Sequence, residues 1–240
     1  MTRFPENSYG ASPLGYESRA NSATVAQFFN AVYAWMAAGL ALTAVVAWWV
    51  STQPQIVGML RGPGIFLLFL VEIGLVFTIS AAINRISATT ATVLFLLYSA
   101  LNGVTLSIIF LIYTQASLAM TFGVTAGTFG AVSVYGFVTK RDLTSLGSIL
   151  FMALIELIIA SVVNMFWANN ILYWVITYAG VLIFVGLTAY DTQRLRMIAM
   201  QTADNAALAA RLSINGALML YLDFINLFLF MLRLLGNRRS

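Results

Sequence analysis

Long apolar stretches dominate this chain and restrict the folds open to it. The last one begins near Ser213 and contains the run ALMLYLDFINLFLFMLRLLG, from Ala217 to Gly236. About 20 apolar residues in a helix cross the ~30 Å hydrocarbon core of a bilayer, where the backbone must satisfy its own hydrogen bonds. Hydrophobic residues make up 61% of the sequence and charged residues only 8%, whereas a soluble domain has about 25% charged residues. The sequence therefore predicts an all-α polytopic membrane protein.

Seven stretches are long enough to cross the membrane. They are predicted at residues 31–50, 64–83, 91–113, 118–138, 145–167 and 171–190, with the seventh starting near 213. Residues 1–26 are polar and lack the apolar segment of a signal peptide, so they are predicted to form a flexible tail. Residues 27–240 are predicted to form one seven-helix membrane domain, with 197–212 as a mixed connector or a helix at the membrane interface. Asn102 and Asn226 are predicted to form hydrogen bonds between helices.

The distribution of Lys and Arg predicts a cytoplasmic N-terminus. Seven spans with this orientation place eight basic residues inside and four outside. If the last run were re-entrant, eleven basic residues would lie inside and one outside. However, that run has no Pro or Gly break between Leu218 and Leu235, which favours a complete span.

Cysteine and histidine are both missing from the 240 residues. Disulfides, thiolate catalysis, the usual zinc sites and histidine-dependent triads are therefore excluded. We expect no tightly bound cofactor and no catalytic residues. The net charge of +4 lies mostly at span ends, which fits membrane topology better than nucleic-acid binding.

Two aspartates are the candidate functional residues. Asp223 lies ten residues after Ser213, about 15 Å along a helix and so near the middle of a bilayer. Asp191 ends the preceding apolar run, and the predicted topology puts both carboxyl groups at a similar depth. Such a pair shares one proton at low pH and, once ionised, repels itself and attracts a cation. The alternative is a structural pair that only stabilises the helix bundle.

Three other charged residues are candidates for the same site. Arg85, at the inner end of the second span, could form a salt bridge with the aspartates as a latch. Glu72 and Glu156 lie mid-span and could line a cation pathway, although Glu156 could equally be a protonated acid bonded to a neighbouring helix. Calcium usually takes six to eight oxygen ligands, so we expect only weak, transient binding at Asp191 and Asp223.

The sequence resembles the Bax inhibitor family, also called the transmembrane Bax inhibitor motif family, and its bacterial members in particular. The resemblance covers the chain from about Gln27 to the end. It is most specific in LTAYDTQRLR (Leu187 to Arg196) and LYLDFINLFLFMLRLLG (Leu220 to Gly236). The segments NGVTLS (Asn102 to Ser107) and TKRDLTSLG (Thr139 to Gly147) support it.

This resemblance implies six helices around a central seventh and a pH-sensitive calcium leak across the membrane. The family's paired aspartates match Asp191 and Asp223, its latch arginine matches Arg85, and its acid in the second span matches Glu72. Glu156 matches no family pattern. The resemblance also implies a bacterial inner membrane, where some members bind a membrane-anchored AAA protease.

The sequence and the resemblance together suggest two possible functions and one minor alternative. The first is a cation leak gated by the aspartates, and the second is a regulatory protein that binds a membrane-anchored AAA protease. The minor alternative is an intramembrane aspartyl protease, whose first motif matches Tyr190-Asp191. Its Gly-x-Gly-Asp motif does not match at Asp223, and no proline follows Pro63.

Overall fold

The computed structural model describes residues 13–60, 62 and 64–239, and for residues 13–22 it describes only the backbone. Nine α-helices and no strands lie within this part of the chain. The helices are α1 (Pro13–Ser51), α2 (Pro54–Leu60), α3 (Gly64–Ala82), α4 (Ala88–Leu106), α5 (Ile109–Ile112), α6 (Gln115–Val138), α7 (Thr144–Trp167), α8 (Asn170–Gln201) and α9 (Ala206–Leu235).

The prediction of seven membrane spans is confirmed within the described residues. The helices α1, α3, α6, α7, α8 and α9 are each long and apolar enough to cross a bilayer, and α4 with α5 forms one further span from Ala88 to Ile112. The short helix α2 lies between the first two spans. The last span is one continuous helix, as expected for a complete crossing.

The segment 197–212 is mostly helical, and the connector within it is much shorter than predicted. Helix α8 continues to Gln201 and α9 begins at Ala206, so only four residues, 202–205, separate them. Charged and polar residues made 197–212 look unlike a span, but a helix that extends beyond the bilayer can carry them in water. Asn205 starts α9 by accepting a hydrogen bond from the backbone N–H of Leu208 at 3.0 Å.

The first helix starts earlier than the sequence suggests. Helix α1 begins at Pro13, so residues 13–26, predicted to belong to a flexible tail, have a helical backbone. Proline is favoured at a helix start because its missing N–H would have no helical partner there. Residues 1–12 lie outside the described residues, and the domain boundary after residue 26 stays a prediction.

Helix α9 is the most buried of the seven spans. In an apolar stretch of 18 residues within α9, half of the residues are buried, compared with 11% in the corresponding stretches of α3 and α7. It packs against α1, α3, α4, α6 and α8, while α7 packs against α8. The core therefore lies along α9, and the prediction that all six other spans surround it stays a prediction.

Helices α6 and α8 approach closely at Gly136. A Cβ atom at this position would collide with the backbone carbonyl of Ala189, so only glycine allows the observed contact. Small residues allow membrane helices to pack in this way. Ala189 lies two residues before Asp191, so this contact helps to position the part of α8 that carries a candidate site residue.

Candidate functional site

Asp191 on α8 and Asp223 on α9 form one buried carboxyl pair. Asp223 is 5% exposed and Asp191 is half-buried. The two carboxyl groups lie within hydrogen-bonding reach of each other. The helices that carry them pack along each other. The structure thus brings together the two acids that the sequence predicted to form one site.

One carboxyl oxygen of Asp223 has no hydrogen-bond donor among the described residues. Its Oδ2 atom is buried and accepts no hydrogen bond from an N–H or O–H group of the described residues. A buried oxygen without a donor costs about 1–3 kcal/mol, and more if it is charged. A proton held between the two carboxyl groups, or a cation, would remove this cost.

Arg194 lies near the aspartate pair, whereas Arg85 does not. The positive charge that acts on Asp191 is Arg194, which lies three residues further along α8 and is exposed. Arg85 is exposed in the turn after α3, where its backbone N–H donates to the carbonyl of Ala82 at 2.8 Å. The structure does not bring Arg85 to the aspartates, and its role as a latch stays a prediction.

Glu72 forms a second buried acidic site, on α3. It is 5% exposed, and each of its carboxyl oxygens accepts a hydrogen bond from α4. The amide nitrogen of Asn102 donates to Oε2 at 3.3 Å, and the hydroxyl of Thr105 donates to Oε1. Glu72 and Ile79 are the buried residues of α3, so these bonds are a large part of its attachment to the bundle.

A chain of hydroxyl and amide groups extends from Glu72 to α1. The hydroxyl of Tyr221 donates to Oδ1 of Asn102 at 3.1 Å and lies 2.7 Å from the hydroxyl of Thr43. Thr43 also reaches the carbonyl of Ser99 at 2.8 Å. This network joins α1, α3, α4 and α9 and confirms that Asn102 forms hydrogen bonds between helices.

The two acidic sites lie on different sides of α9. Tyr221 and Asp223 are two residues apart, which is about 200° around a helix. Tyr221 faces Asn102 on α4 and Thr43 on α1, whereas Asp223 faces Asp191 on α8. Helix α9 therefore separates the aspartate pair from the network that holds Glu72.

Glu156 and Asn226 lie outside both acidic sites. Glu156 lies halfway along α7 and is exposed, so its carboxyl group points away from the bundle core. Asn226 donates to the carbonyl of Leu222 in its own helix at 2.8 Å, so its predicted bond between helices is wrong. An amide in a helix can reach its own backbone four residues back, and the sequence does not distinguish this from a contact with a neighbour.

The acids offer few ligands to a metal ion. In the described part of the chain, no three Asp or Glu side chains come together in a group that could hold one. The aspartate pair supplies four carboxylate oxygens at most, fewer than the six to eight that calcium takes. Calcium at this pair would have to keep water ligands, so binding there would be weak.

Sequence reasoning missed Tyr221, Thr43 and Thr105. Tyr221 is fully buried among apolar neighbours, and its ring packs edge-to-face on those of Phe95 and Tyr98. The available signal was the position of Tyr221 beside Asp223. A buried tyrosine hydroxyl needs a partner, and a membrane span offers few.

Comparisons with known proteins identify the family. The family model described as "Inhibitor of apoptosis-promoting Bax1" matches residues 25–240. The inner membrane protein YbhL of Escherichia coli K12 is 49% identical over 243 aligned positions, which cover 100% of both chains. An uncharacterized protein of Borreliella burgdorferi is 48% identical, covering 89% of this chain and 93% of its own. An uncharacterized protein of Deinococcus radiodurans is 45% identical, and the match covers 90% of this chain and 92% of that protein.

The family model and the relative from Escherichia coli extend over the segments of the chain that contain Asp191 and Asp223. They agree with the resemblance found in the segments around Asp191 and Asp223. The chain is therefore an integral membrane protein that belongs to the Bax inhibitor family.

Proposed function

We propose that this protein is a pH-sensitive cation leak, with calcium as the principal ion, and that Asp191 and Asp223 form its sensor and gate. The observation that carries the proposal is the buried contact between the two carboxyl groups at the packed interface of α8 and α9. Acidic residues inside a membrane usually mark ion pathways or proton relays. The proposed activity is transport, without catalysis and without a tightly bound cofactor.

Protonation of the pair supplies the gating chemistry. At low pH one proton lies between the carboxyl groups and holds α8 against α9. At higher pH both groups ionise, and two negative charges at this distance repel strongly in a medium of low dielectric constant. The repulsion separates the helices or draws in a cation, and either event favours ion passage. Arg85 would then act as a latch only in a state in which it reaches the pair.

Glu72 is proposed to lie on the cation pathway rather than in the sensor. Its carboxyl group is buried on the other side of α9 from the aspartates, and two donors from α4 hold it in place. Permeation requires binding that is weak enough to release the ion. The two acidic sites, with water as the remaining ligand, meet this requirement for calcium.

The test is calcium flux into proteoliposomes across a pH series, with the wild type and the variants Asp191→Asn and Asp223→Asn. We expect a pH-dependent leak in the wild type that either substitution makes independent of pH. The variant Glu72→Gln should lower flux at every pH and leave the pH midpoint unchanged. Asp204→Asn is the matched control, because it makes the same chemical change in the exposed connector between α8 and α9.

Two results would reject the leak. A membrane that stays tight at every pH, with all variants folded, would leave the aspartates as a structural pair. Cleavage of a membrane peptide that depends on Asp191 would favour the aspartyl protease instead.

A second function is supported by the exposed Glu156. An acid that faces lipid halfway along α7 is costly unless another membrane protein covers it. We therefore keep as the alternative a regulatory protein that binds a membrane-anchored AAA protease. In that case Glu156→Gln, or deletion of residues 1–26, would abolish regulation of the protease and leave calcium flux intact.

The proposed location is the bacterial inner membrane, with a cytoplasmic N-terminus. The relative from Escherichia coli is named as an inner membrane protein. A cysteine placed in the 202–205 connector should react with an impermeant thiol reagent only after cells are opened, because the proposed topology puts this connector inside. Labelling in intact cells would reverse the orientation.

A further inference from the structure

A basic pocket lies at the end of the bundle where α7 ends, α8 begins and α9 ends. Its volume is about 310 Å³. Its lining comes from α7, α8 and α9, from the junction between α5 and α6 and from the C-terminal tail, and none of its lining residues has a role in the aspartate site. The charged and hydrogen-bonding residues of the lining are Tyr113, Ser161, Asn164, Tyr173, Arg233 and Arg238.

The two arginines of the pocket have no acidic partner in the part of the chain that the structure describes. Arg233 and Arg238 form no ion pair with a described residue, and no Asp or Glu lines the pocket. The guanidinium of Arg233 lies over the ring of Phe230, 5.3 Å from its centre, which leaves its N–H donors free. Two guanidinium groups without an acidic partner among the described residues, together with tyrosine and asparagine donors in the same lining, form a site for an anion.

The backbone holds Arg238 in place. After α9 the tail runs antiparallel to the α5–α6 junction, with Arg238 paired to Tyr113. Thr114 N–H donates to the carbonyl of Asn237 at 3.2 Å, and Arg239 N–H donates to the carbonyl of Ile112 at 2.8 Å. The side chain of Arg238 then lies within reach of the hydroxyls of Tyr113 and Tyr173. An anion would therefore meet a preorganised group rather than a free tail.

Aromatic residues place the pocket at the depth of lipid headgroups. Trp167 at the end of α7 is 78% exposed, and Tyr173 and Trp174 follow in the first turns of α8. Tryptophan and tyrosine collect at the boundary between hydrocarbon and water. Phosphate groups of phospholipids occupy the same depth, in either leaflet, and basic pockets between membrane helices bind such headgroups.

We propose that this pocket binds a phosphate group through Arg233 and Arg238, and that the anionic phospholipid of the surrounding membrane supplies it. The proposal does not depend on the leak activity. Arginine forms two parallel hydrogen bonds with a phosphate, and the hydroxyls of Tyr113 and Tyr173 can donate to its other oxygens. A free phosphate ion has the same chemistry and would come from the aqueous side.

The experiment titrates the detergent-solubilised full chain with phosphatidylglycerol or with phosphatidylcholine of the same acyl chains and follows the thermal midpoint. A ligand that binds only the folded state raises this midpoint. We expect phosphatidylglycerol to stabilise the wild type much more than phosphatidylcholine. The variants Arg233→Gln and Arg238→Gln should each need at least about tenfold more lipid for the same shift.

The matched control is Arg239→Gln, which removes the same charge from the same tail but does not line the pocket. It should keep the wild-type titration within about twofold. Arg233→Gln leaves the tail contacts untouched, so it tests the pocket even if Arg238→Gln does not fold.

A parallel titration with sodium phosphate against sodium chloride at equal ionic strength separates the two sources. If phosphatidylglycerol stabilises through both arginines and phosphate ion does not, the lipid is the ligand. Stabilisation by phosphate ion alone would overturn the lipid assignment and keep the anion pocket. Equal effects of the two lipids with no effect of phosphate ion, or an equal loss in Arg239→Gln, would overturn the site.

Discussion

The hydroxyl oxygens of Thr43 and Tyr221 lie 2.7 Å apart, which connects α1 to α9 inside the apolar core. The same tyrosine donates to Asn102, so one hydroxyl joins three helices. A buried hydrogen bond that loses one partner costs about 1–3 kcal/mol, because the remaining group stays unsatisfied.

Tyr221→Phe should therefore lower the free energy of unfolding by about 1–3 kcal/mol. The change removes only the hydroxyl and leaves the ring packing intact. Unfolding in a titration of mixed micelles with sodium dodecyl sulfate would measure it. The control is Tyr98→Phe, since the ring of Tyr98 packs on that of Tyr221 but its hydroxyl forms no hydrogen bond with a described residue. Equal losses in the two variants would contradict a specific role for the Tyr221 hydroxyl.

Thr43→Val should destabilise the fold, and Thr125→Val should not. Thr43 loses its bonds to Tyr221 and to the Ser99 carbonyl, at a cost of about 1–3 kcal/mol. The hydroxyl of Thr125 on α6 is fully buried and has no hydrogen-bond partner among the described residues, so a methyl group in its place is neutral or stabilising. The same unfolding assay compares them, and a loss of more than about 1 kcal/mol in Thr125→Val would show that its hydroxyl has a partner such as water.

Gly136→Ala should destabilise the contact between α6 and α8. The added methyl group meets the carbonyl of Ala189, and overpacking of this kind costs about 1–3 kcal/mol. Gly127→Ala lies on the same helix with open space around its Cβ position. There the substitution should stabilise the helix by up to about 1 kcal/mol, because alanine loses less conformational entropy than glycine on folding. The two variants should thus change the free energy of unfolding in opposite directions, and a shared sign would contradict the close approach.

Asp142 should contribute stability that depends on pH. The hydroxyl and the backbone N–H of Thr144 donate to this exposed carboxylate and hold its pKa below the ordinary value of 3.8. A lowered pKa in the folded state means that the contribution is complete above pH 3.8 and disappears as the pH falls through the lowered value. The difference in thermal midpoint between wild type and Asp142→Ala should therefore shrink as the pH is lowered from 7 to below 3.8. The control is Asp204→Ala, which removes an exposed carboxylate with no hydrogen bond to a described residue.

The apolar runs were sufficient to predict the spans, because only a helix satisfies its own backbone in lipid. The contact between Asp191 and Asp223 followed from helix depth and from the family resemblance. The ends of α1, α8 and α9 were misjudged, since a helix that leaves the bilayer no longer needs apolar residues. Hydropathy therefore predicted the length of each membrane span but not the full length of the helix that contains it.

The partners of the buried polar side chains were the part that sequence could not supply. The hydroxyls of Thr177 and Thr188 donate to carbonyls of their own helix, whereas that of Thr43 reaches two other helices. These threonines look alike in the sequence, and only the rotation of each helix against its neighbours decides which bond forms. The same reason explains the error at Asn226.

The C-terminal tail also limits how α9 can move. Asn237 beyond one end of the helix donates to the hydroxyl of Ser117 at 2.8 Å, and Arg211 near the other end donates to the carbonyl of Asn84 at 3.0 Å. A slide by one turn, about 5.4 Å, would break the hydrogen bonds at both ends. Hydrogen bonds to neighbouring segments therefore fix α9 at both of its ends. Any separation of Asp191 from Asp223 must come from a rotation of α9 about its own axis or from a displacement of α8.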